Sequence, residues 1–290
     1  MPIVHLIREK KYDAICSNSI SVDVGARAAT IAKIPHIYYF REFMEEDFGI
    51  EFRNQKRMKR LIENSEIGIF ISKAVQEKYR KLYSLKNSVQ FYDGFAIDKY
   101  YVQYHQILQG NDIKILYVGK FQDSKGTFNL LEMFYKLIKC YNEKKFTLEL
   151  VGNGAADYMQ KMNSYIKEKH LCDMVTITNF LKDVKKVACQ KDILVMNSYN
   201  EGFGRVTVEG MLAGCLVLGR FCGGTKEILV HKENGLCFDD DESFMDQMKW
   251  IIENQQSACK IAEQGQGWAK INFDNRLVAQ KFLKILETIK

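Results

Sequence analysis

From residue 112 onward the chain alternates short apolar runs with longer amphipathic stretches. The runs at 113–118, 147–151, 175–177, 193–196 and 216–218 predict strands, because brief segments rich in β-branched residues suit a sheet buried on both faces. Between them, apolar residues recur at helical spacing over 127–140, 159–169, 184–189 and 206–213. Such a rhythm predicts a parallel sheet flanked by helices. From residue 243 the pattern is helical throughout and ends in an amphipathic stretch over 277–289. The first hundred residues repeat the rhythm in shorter form, with an opening helix, strands at 12–16, 36–40 and 67–71, and a helix over 23–33. Residues 101–112 are polar and without period, the best linker candidate. Two doubly wound α/β lobes facing a cleft are therefore expected, and no repeat of fixed period is visible.

Composition narrows the class without choosing a chemistry. The 290 residues are 47% hydrophobic and 27% charged, as in globular chains, and the length suffices for two domains. A net charge of +6 is a mild, diffuse excess and does not call for nucleic acid. No apolar run approaches the ~18 residues that span a bilayer, and the opening residues lack the pattern of a signal peptide, so a cytoplasmic location is expected. The eight cysteines form no C-x-x-C pair and are read as buried thiols. The five histidines have no metal-ligand spacing, so no metal site is expected.

Chemistry concentrates in four turns that follow predicted strands. The most informative runs from Asn197 to Met211, where a strand end, a glycine-flanked turn and a helix start succeed one another. Gly202 and Gly204 permit close approach of a ligand, and the N–H groups of the first helical turn suit a phosphate. Glu201 and Glu209 can accept hydrogen bonds from hydroxyls, although Glu209 taken alone reads rather as a surface glutamate. Gly119 to Gly126 forms a second turn in which Lys120 and Lys125 bracket a diphosphate-sized loop without a Walker pattern. A third turn, around Gly152 and Gly154, has half of a dinucleotide fingerprint, with Asp157 in place of the last glycine, which leaves an NAD(P)-linked oxidoreductase as a weaker reading. The fourth holds Gly223, Gly224 and Glu227.

Together these residues resemble a known family. Glu201 and Glu209 form an E-x7-E pattern in the wording E-G-F-G-x-V-x-x-E-x-M-x-A-G; with Gly119 to Gly126, Gly223 to Glu227 and Asn234-Gly235-Leu236 the chain resembles the retaining GT-B glycosyltransferases of family 4 over residues 112–270. The resemblance implies two Rossmann-like domains, the N-terminal one incomplete. It divides the chain into a short acceptor-side domain (1–105), a nucleotide-sugar-binding domain (106–271) and a last helix (272–290) that packs back on the first. It also implies roles. Lys125 and Lys120 bind the donor diphosphate, with Gly119 and Gly152 lining the same crevice; Glu209 holds the ribose. Glu201, with the N–H groups of Gly202, Phe203 and Gly204, holds the donor sugar, and backbone near Phe180 and Leu181 meets the base. Lys125 and Glu201 are the catalytic candidates. Lys120 stands where the family has arginine, which keeps the charge and loses the planar fork.

The implied reaction moves a sugar from a nucleotide-diphosphate sugar to a glycan or lipid-linked acceptor, with retention, in surface polysaccharide biosynthesis, with no cofactor or metal. On the acceptor side Arg41 stands where the family has histidine, and Arg41 and Glu42 are candidates to face the cleft or to pair with each other. Basic residues at 53–60 and 79–86 are read as a contact for an anionic membrane surface or as solvated helix faces. The alternative is a non-catalytic or partner-dependent nucleotide-sugar-binding subunit, made so by the short N-terminal lobe.

Overall fold

A computed structural model describes residues 2–289. The chain divides into two compact units, one made of Met1–Gly94, Glu201–Phe203 and Asn275–Lys290, the other of Phe95–Asn200 and Gly204–Asp274.

In the first unit the order is α1 (Pro2–Lys10), β1 (Ile15–Ser17), α2 (Val24–Ala32), β2 (His36–Phe40), α3 (Glu45–Phe48), α4 (Gln55–Glu63), β3 (Ile67–Phe70), α5 (Lys73–Leu82) and β4 (Ser88–Gln90). The four strands pair in parallel in the order β1-β2-β3-β4. Every residue of β2 and β3 is buried, as continuous apolar runs in a covered parallel sheet require. Phe40 stacks on Phe70 across that pair, with ring centroids 4.5 Å apart. Side-chain caps start two of the helices: Asn54 accepts from the Arg57 N–H at α4, and Ser72 from the Val75 N–H at α5.

The first strand begins later than its apolar run suggests. Tyr12 is half exposed and spends its N–H on the Ile7 carbonyl, and Lys11 turns left-handed at φ 54°, so these residues close α1 and strand geometry starts at Ile15. The thiols also depart from expectation. Cys215 alone of the eight is buried, and Cys16, Cys140 and Cys172 are exposed, because apolar neighbours in sequence alternate faces in a strand or helix and do not carry the thiol inward with them.

A buried polar relay links three elements of this unit. The Ser65 hydroxyl donates to the Leu61 carbonyl at 2.9 Å, so it accepts from Nδ1 of His36 at 3.0 Å, and Nε2 of His36 then accepts from the Ser17 hydroxyl at 2.9 Å. One neutral tautomer satisfies every partner.

The second unit runs α6 (Ile97–Tyr100), β5 (Asp112–Val118), α7 (Thr127–Cys140), β6 (Lys145–Val151), α8 (Ala156–Glu168), β7 (Val175–Thr178), α9 (Lys185–Ala188), β8 (Ile193–Met196), α10 (Arg205–Leu212), β9 (Leu216–Arg220), α11 (Thr225–Ile228), β10 (Leu236–Phe238), α12 (Asp241–Glu253) and α13 (Gln255–Asn272). Its six parallel strands are ordered β10-β9-β8-β5-β6-β7. The core gathers Tyr117, Leu131, Phe134, Phe146, Leu150 and Val195. Strand β10 is too short to show a period in sequence; it is fixed by pairing Leu236 with Leu218 of β9. The stretch before β5 is irregular, yet Ile107 and Leu108 are buried and the Leu108 N–H donates to Asp192. The last helix, α14 (Asn275–Thr288), belongs to the first unit and buries none of its side chains fully.

Burial holds the His36 imidazole down at about 4, against about 6.5 when unfolded. Between those values the unfolded chain binds the extra proton, so stability falls as pH drops through the interval and levels off below it. The loss approaches about 3 kcal/mol. Urea unfolding across this range is expected to show that slope in the wild type and a flatter one in His36→Gln.

Candidate functional site

The strand order of the second unit reverses at β5. From there the chain adds β6 and β7 on one side, then returns to place β8, β9 and β10 on the other. In open parallel sheets the crevice at such a reversal, outside the carboxyl ends of the strands, is where ligands bind. The turns that bracket it here are those after β5 and β8, the two that carry the lysines and the E-G-F-G wording.

The turn after β5 is fixed by its neighbours. Gly119 donates to the Val151 carbonyl and Phe121 to the Asn153 carbonyl. A Cβ on Gly152 would lie 1.8 Å from the Gly119 carbonyl oxygen, and one on Gly154 would lie 2.6 Å from that of Phe121. The half-fingerprint of the third turn is thus explained by close contact between adjacent turns rather than by a dinucleotide. Past the exposed Lys120, residues Asp123–Lys125 make one 3-10 turn, and Gly126 adopts φ +65° as the N-cap of α7. A Cβ at Gly126 would sit 2.2 Å from the Asn197 carbonyl oxygen, so glycine is needed there twice over. The half-buried Lys125 extends its Nζ to 3.4 Å from the Asn200 carbonyl. Beneath the turn, the Tyr117 hydroxyl donates to the Lys125 carbonyl at 3.1 Å and accepts from Thr127 at 2.9 Å. Tyr117 was hidden in sequence because it reads simply as a core residue of a strand.

After β8, Asn197 and Ser198 are buried, and Gly204 turns left-handed at φ +98° to cap α10 without a side-chain bond. Such a helix start carries partial positive charge. The hydroxyls of Thr207 and Thr225, both buried and without a hydrogen-bond partner, each lie within 3.4 Å of where a Gly204 Cβ would stand. Glu209 is not the surface glutamate of the simpler reading. Its side chain is 14% exposed, and Arg205 approaches it at 3.6 Å. Burial raises its carboxyl above the usual range, opposed by the charges of Arg205 and Lys99. Phe180, two-thirds exposed, and the half-buried Leu181 follow β7 at the sheet edge.

The remaining candidates lie in the first unit, which includes Glu201, Gly202 and Phe203. Glu201 is half-buried, and Phe203 stacks on Tyr92 with centroids 5.6 Å apart. A Cβ on Gly202 would be 3.0 Å from the Arg41 carbonyl oxygen, which brings Gly202 and Arg41 together. Arg41 and Glu42 do not pair with each other. Arg41 forms an ion pair with the buried Asp93 and stacks over Tyr39, whereas Glu42 accepts from the Ser19 hydroxyl. Burial raises the Glu42 carboxyl despite that bond. Asp93 lies 52 residues from its partner, and no local pattern marks it. Among the described residues no cluster of three or more His, Cys, Asp or Glu is arranged to hold a metal ion.

Residues 104–268 match the family described as glycosyl transferases group 1. An uncharacterised glycosyltransferase of Methanocaldococcus jannaschii is 30% identical over 130 residues, covering 44% of this chain and 32% of that protein. A trehalose synthase of Pyrococcus horikoshii is 26% identical over 187 residues, covering 60% and 44%. The matched regions thus span a third to less than half of these two relatives' length. Among solved structures, Anabaena HepE in complex with UDP has a TM-score of 0.87 at 24% identity, over 99% of this chain and 81% of that one. A glycosyltransferase from Rickettsia africae gives 0.83 at 18%, over 99% and 79%. These likenesses show the fold, two Rossmann-like parallel-sheet units as in GT-B glycosyltransferases.

The close approach at Gly152 makes a test of the site's frame. Gly152→Ala must push the turns after β5 and β6 apart, and overpacking of this kind costs roughly 1–3 kcal/mol. Thermal unfolding is expected to show the loss, while an alanine at Gly267, in the interior of α13 with nothing within 4 Å of its Cβ, raises stability by roughly 0.5–1 kcal/mol.

Proposed function

The chain belongs to the glycosyl transferases group 1 family, and from that footing we propose that it transfers a sugar from a nucleotide-diphosphate sugar to a glycan or lipid-linked acceptor. The observation that carries this reading is the pair of glycine turns on either side of the strand-order reversal, one holding Lys125 and the other opening α10. Breaking the anomeric C–O bond builds negative charge on the departing diphosphate and positive character on the sugar ring. Lys125, Lys120 and the starts of α7 and α10 supply positive charge to the leaving group, so no metal or cofactor enters the reading. Glu209, dry and hydrogen-bond-accepting, suits the ribose hydroxyls, and backbone at Phe180 and Leu181 suits the base. Glu201 with the N–H groups of Gly202, Phe203 and Gly204 takes the sugar, and Gly119 and Gly152 line the diphosphate crevice.

The finer assignments follow from the sequence resemblance. Retention of anomeric configuration, as in family 4, is consistent with same-face attack by the acceptor, and surface polysaccharide assembly is the proposed setting. Arg41, held by Asp93, and Glu42 are the acceptor-side groups.

For a lipid-linked acceptor, the basic residues about α4 and α5 of the first unit are the proposed contact with the membrane. Residues 53–86 contain ten Lys and Arg against three Glu, a net +7, where the whole chain carries +6. Ile50 and Leu82 are each about half exposed beside α4 and α5. We propose peripheral contact with an anionic cytoplasmic leaflet, to which each basic residue near the surface contributes about 1 kcal/mol. No helix among the described residues is long and apolar enough to cross a membrane.

Because HepE was solved with UDP, uridine diphosphate sugars lead the donor panel. Thermal shift is expected to find a stabilising donor, turnover to survive chelator, and product NMR to show retention. Lys125→Ala and Glu201→Ala are each expected to lower turnover by about 10²–10³-fold. A donor that binds and is never transferred would replace the catalytic reading with that of a nucleotide-sugar-binding subunit. In vesicle sedimentation, the protein is expected to pellet with phosphatidylglycerol and not with phosphatidylcholine, and Lys56→Glu/Arg60→Glu to release it.

A further inference from the structure

Arg220, the last residue of β9, is 6% exposed, yet its four hydrogen bonds all go to neutral oxygens. Nε and Nη2 grip the Asn197 Oδ1 at 3.1 and 2.9 Å, Nη2 also reaches the Asn129 Oδ1 at 3.3 Å, and Nη1 bonds the Asp239 carbonyl. The guanidinium lies between two rings, with its carbon 4.6 Å from the centroid of Tyr199 and 5.0 Å from that of Phe238. No carboxylate touches it; Asp240 and Asp241 act on it at longer range, Asp241 through the Asn129 amide that both share, and a buried cation without a contacting partner is expensive. The charge therefore asks for another explanation.

Its grip sets the orientation of one amide. With Oδ1 of Asn197 taken by the guanidinium, Nδ2 must point the other way, and it donates to the Gly126 carbonyl at 2.8 Å and to the Asn129 Oδ1 at 3.0 Å. Gly126 ends the turn that carries Lys125. The same segment holds that turn twice more, through Tyr199 N–H to the Ser124 carbonyl at 3.0 Å and Lys125 Nζ near the Asn200 carbonyl. The ring of Tyr199 that covers Arg220 thus belongs to a residue whose backbone pins the phosphate-side turn.

We propose that Arg220 is a positioning residue for the donor diphosphate: through Asn197 it locks the turn bearing Lys125, and from behind that turn it adds a fixed, dry positive charge while touching no donor atom. This rests on the nucleotide-sugar reading above. Groups held in place before a dianion arrives need no reorganisation when it binds, and a charge shielded from water by two rings is screened little by salt.

The test measures UDP affinity by titration calorimetry and donor KM and kcat in wild type, Arg220→Gln, Arg220→Lys and Asn197→Asp, each checked for folding by circular dichroism and thermal melt. Asn197→Asp keeps a partner for Arg220, but it neutralises the charge and sets an acceptor against the Gly126 carbonyl and the Asn129 Oδ1; it is expected to remain folded at the assay temperature, the new ion pair offsetting the lost hydrogen bonds, and to bind UDP at least tenfold more weakly. Arg220→Gln is expected to raise donor KM by a similar factor with a smaller change in kcat, and Arg220→Lys to recover part of the loss. Folded Asn197→Asp protein that binds UDP as tightly as wild type overturns the proposal, whatever Arg220→Gln does. If wild type binds neither UDP nor any nucleotide sugar, the functional reading itself falls and this inference falls with it.

Discussion

The reversal of strand order at β5 is the constraint from which the candidate site follows. A strand with parallel neighbours on both sides delivers its carboxyl end to the middle of the sheet, and the turns that leave it and β8 meet there, the Tyr199 N–H donating to the Ser124 carbonyl. Ligands of open parallel sheets bind outside such a reversal, and α7 and α10 both begin at it, each with the partial positive charge of a helix start. Glycine is required where the turns press together. Gly152 against Gly119 and Gly126 against Asn197 leave no room for a Cβ. The basic side chains are placed on a frame that these contacts have already set.

Most of this frame is readable from sequence, because it is built from local signals. Strands β5, β6, β8 and β9 show as short apolar runs, α7 and α10 as helical spacing after glycine turns, and the lysines of the second turn lie inside one eight-residue segment. Where reading fails, the information is not local. The pairing of Arg41 with Asp93 spans 52 residues, and the grip of Arg220 on Asn197 spans 23. Periodicity gives no hint of either. Cysteine burial fails for a related reason, since an apolar neighbourhood in sequence does not say which face a thiol takes. Strand β10 and the one-turn helix α11 are too short to carry a period and exist through their neighbours.

The two units use buried polar groups in different ways. In the first, His36 is held neutral between two serines, and the relay joins β1, β2 and the segment after α4 without placing charge in the core. In the second, a full charge is kept at Arg220 and wrapped in aromatic rings and amides. A neutral relay is the less costly way to satisfy a buried polar atom.

The composition of the first unit bears on how the chain comes to be folded. It draws on residues 1–94, on residues 201–203 and on the final helix, so the backbone passes between the units four times. During synthesis, the second unit has all of its strands and helices once residue 274 has emerged, while the earlier-made first unit still awaits α14. The usual order of domain completion, N-terminal first, is therefore inverted for this chain. Neither unit corresponds to one continuous stretch of message, and cutting the chain at a single point cannot release either of them whole.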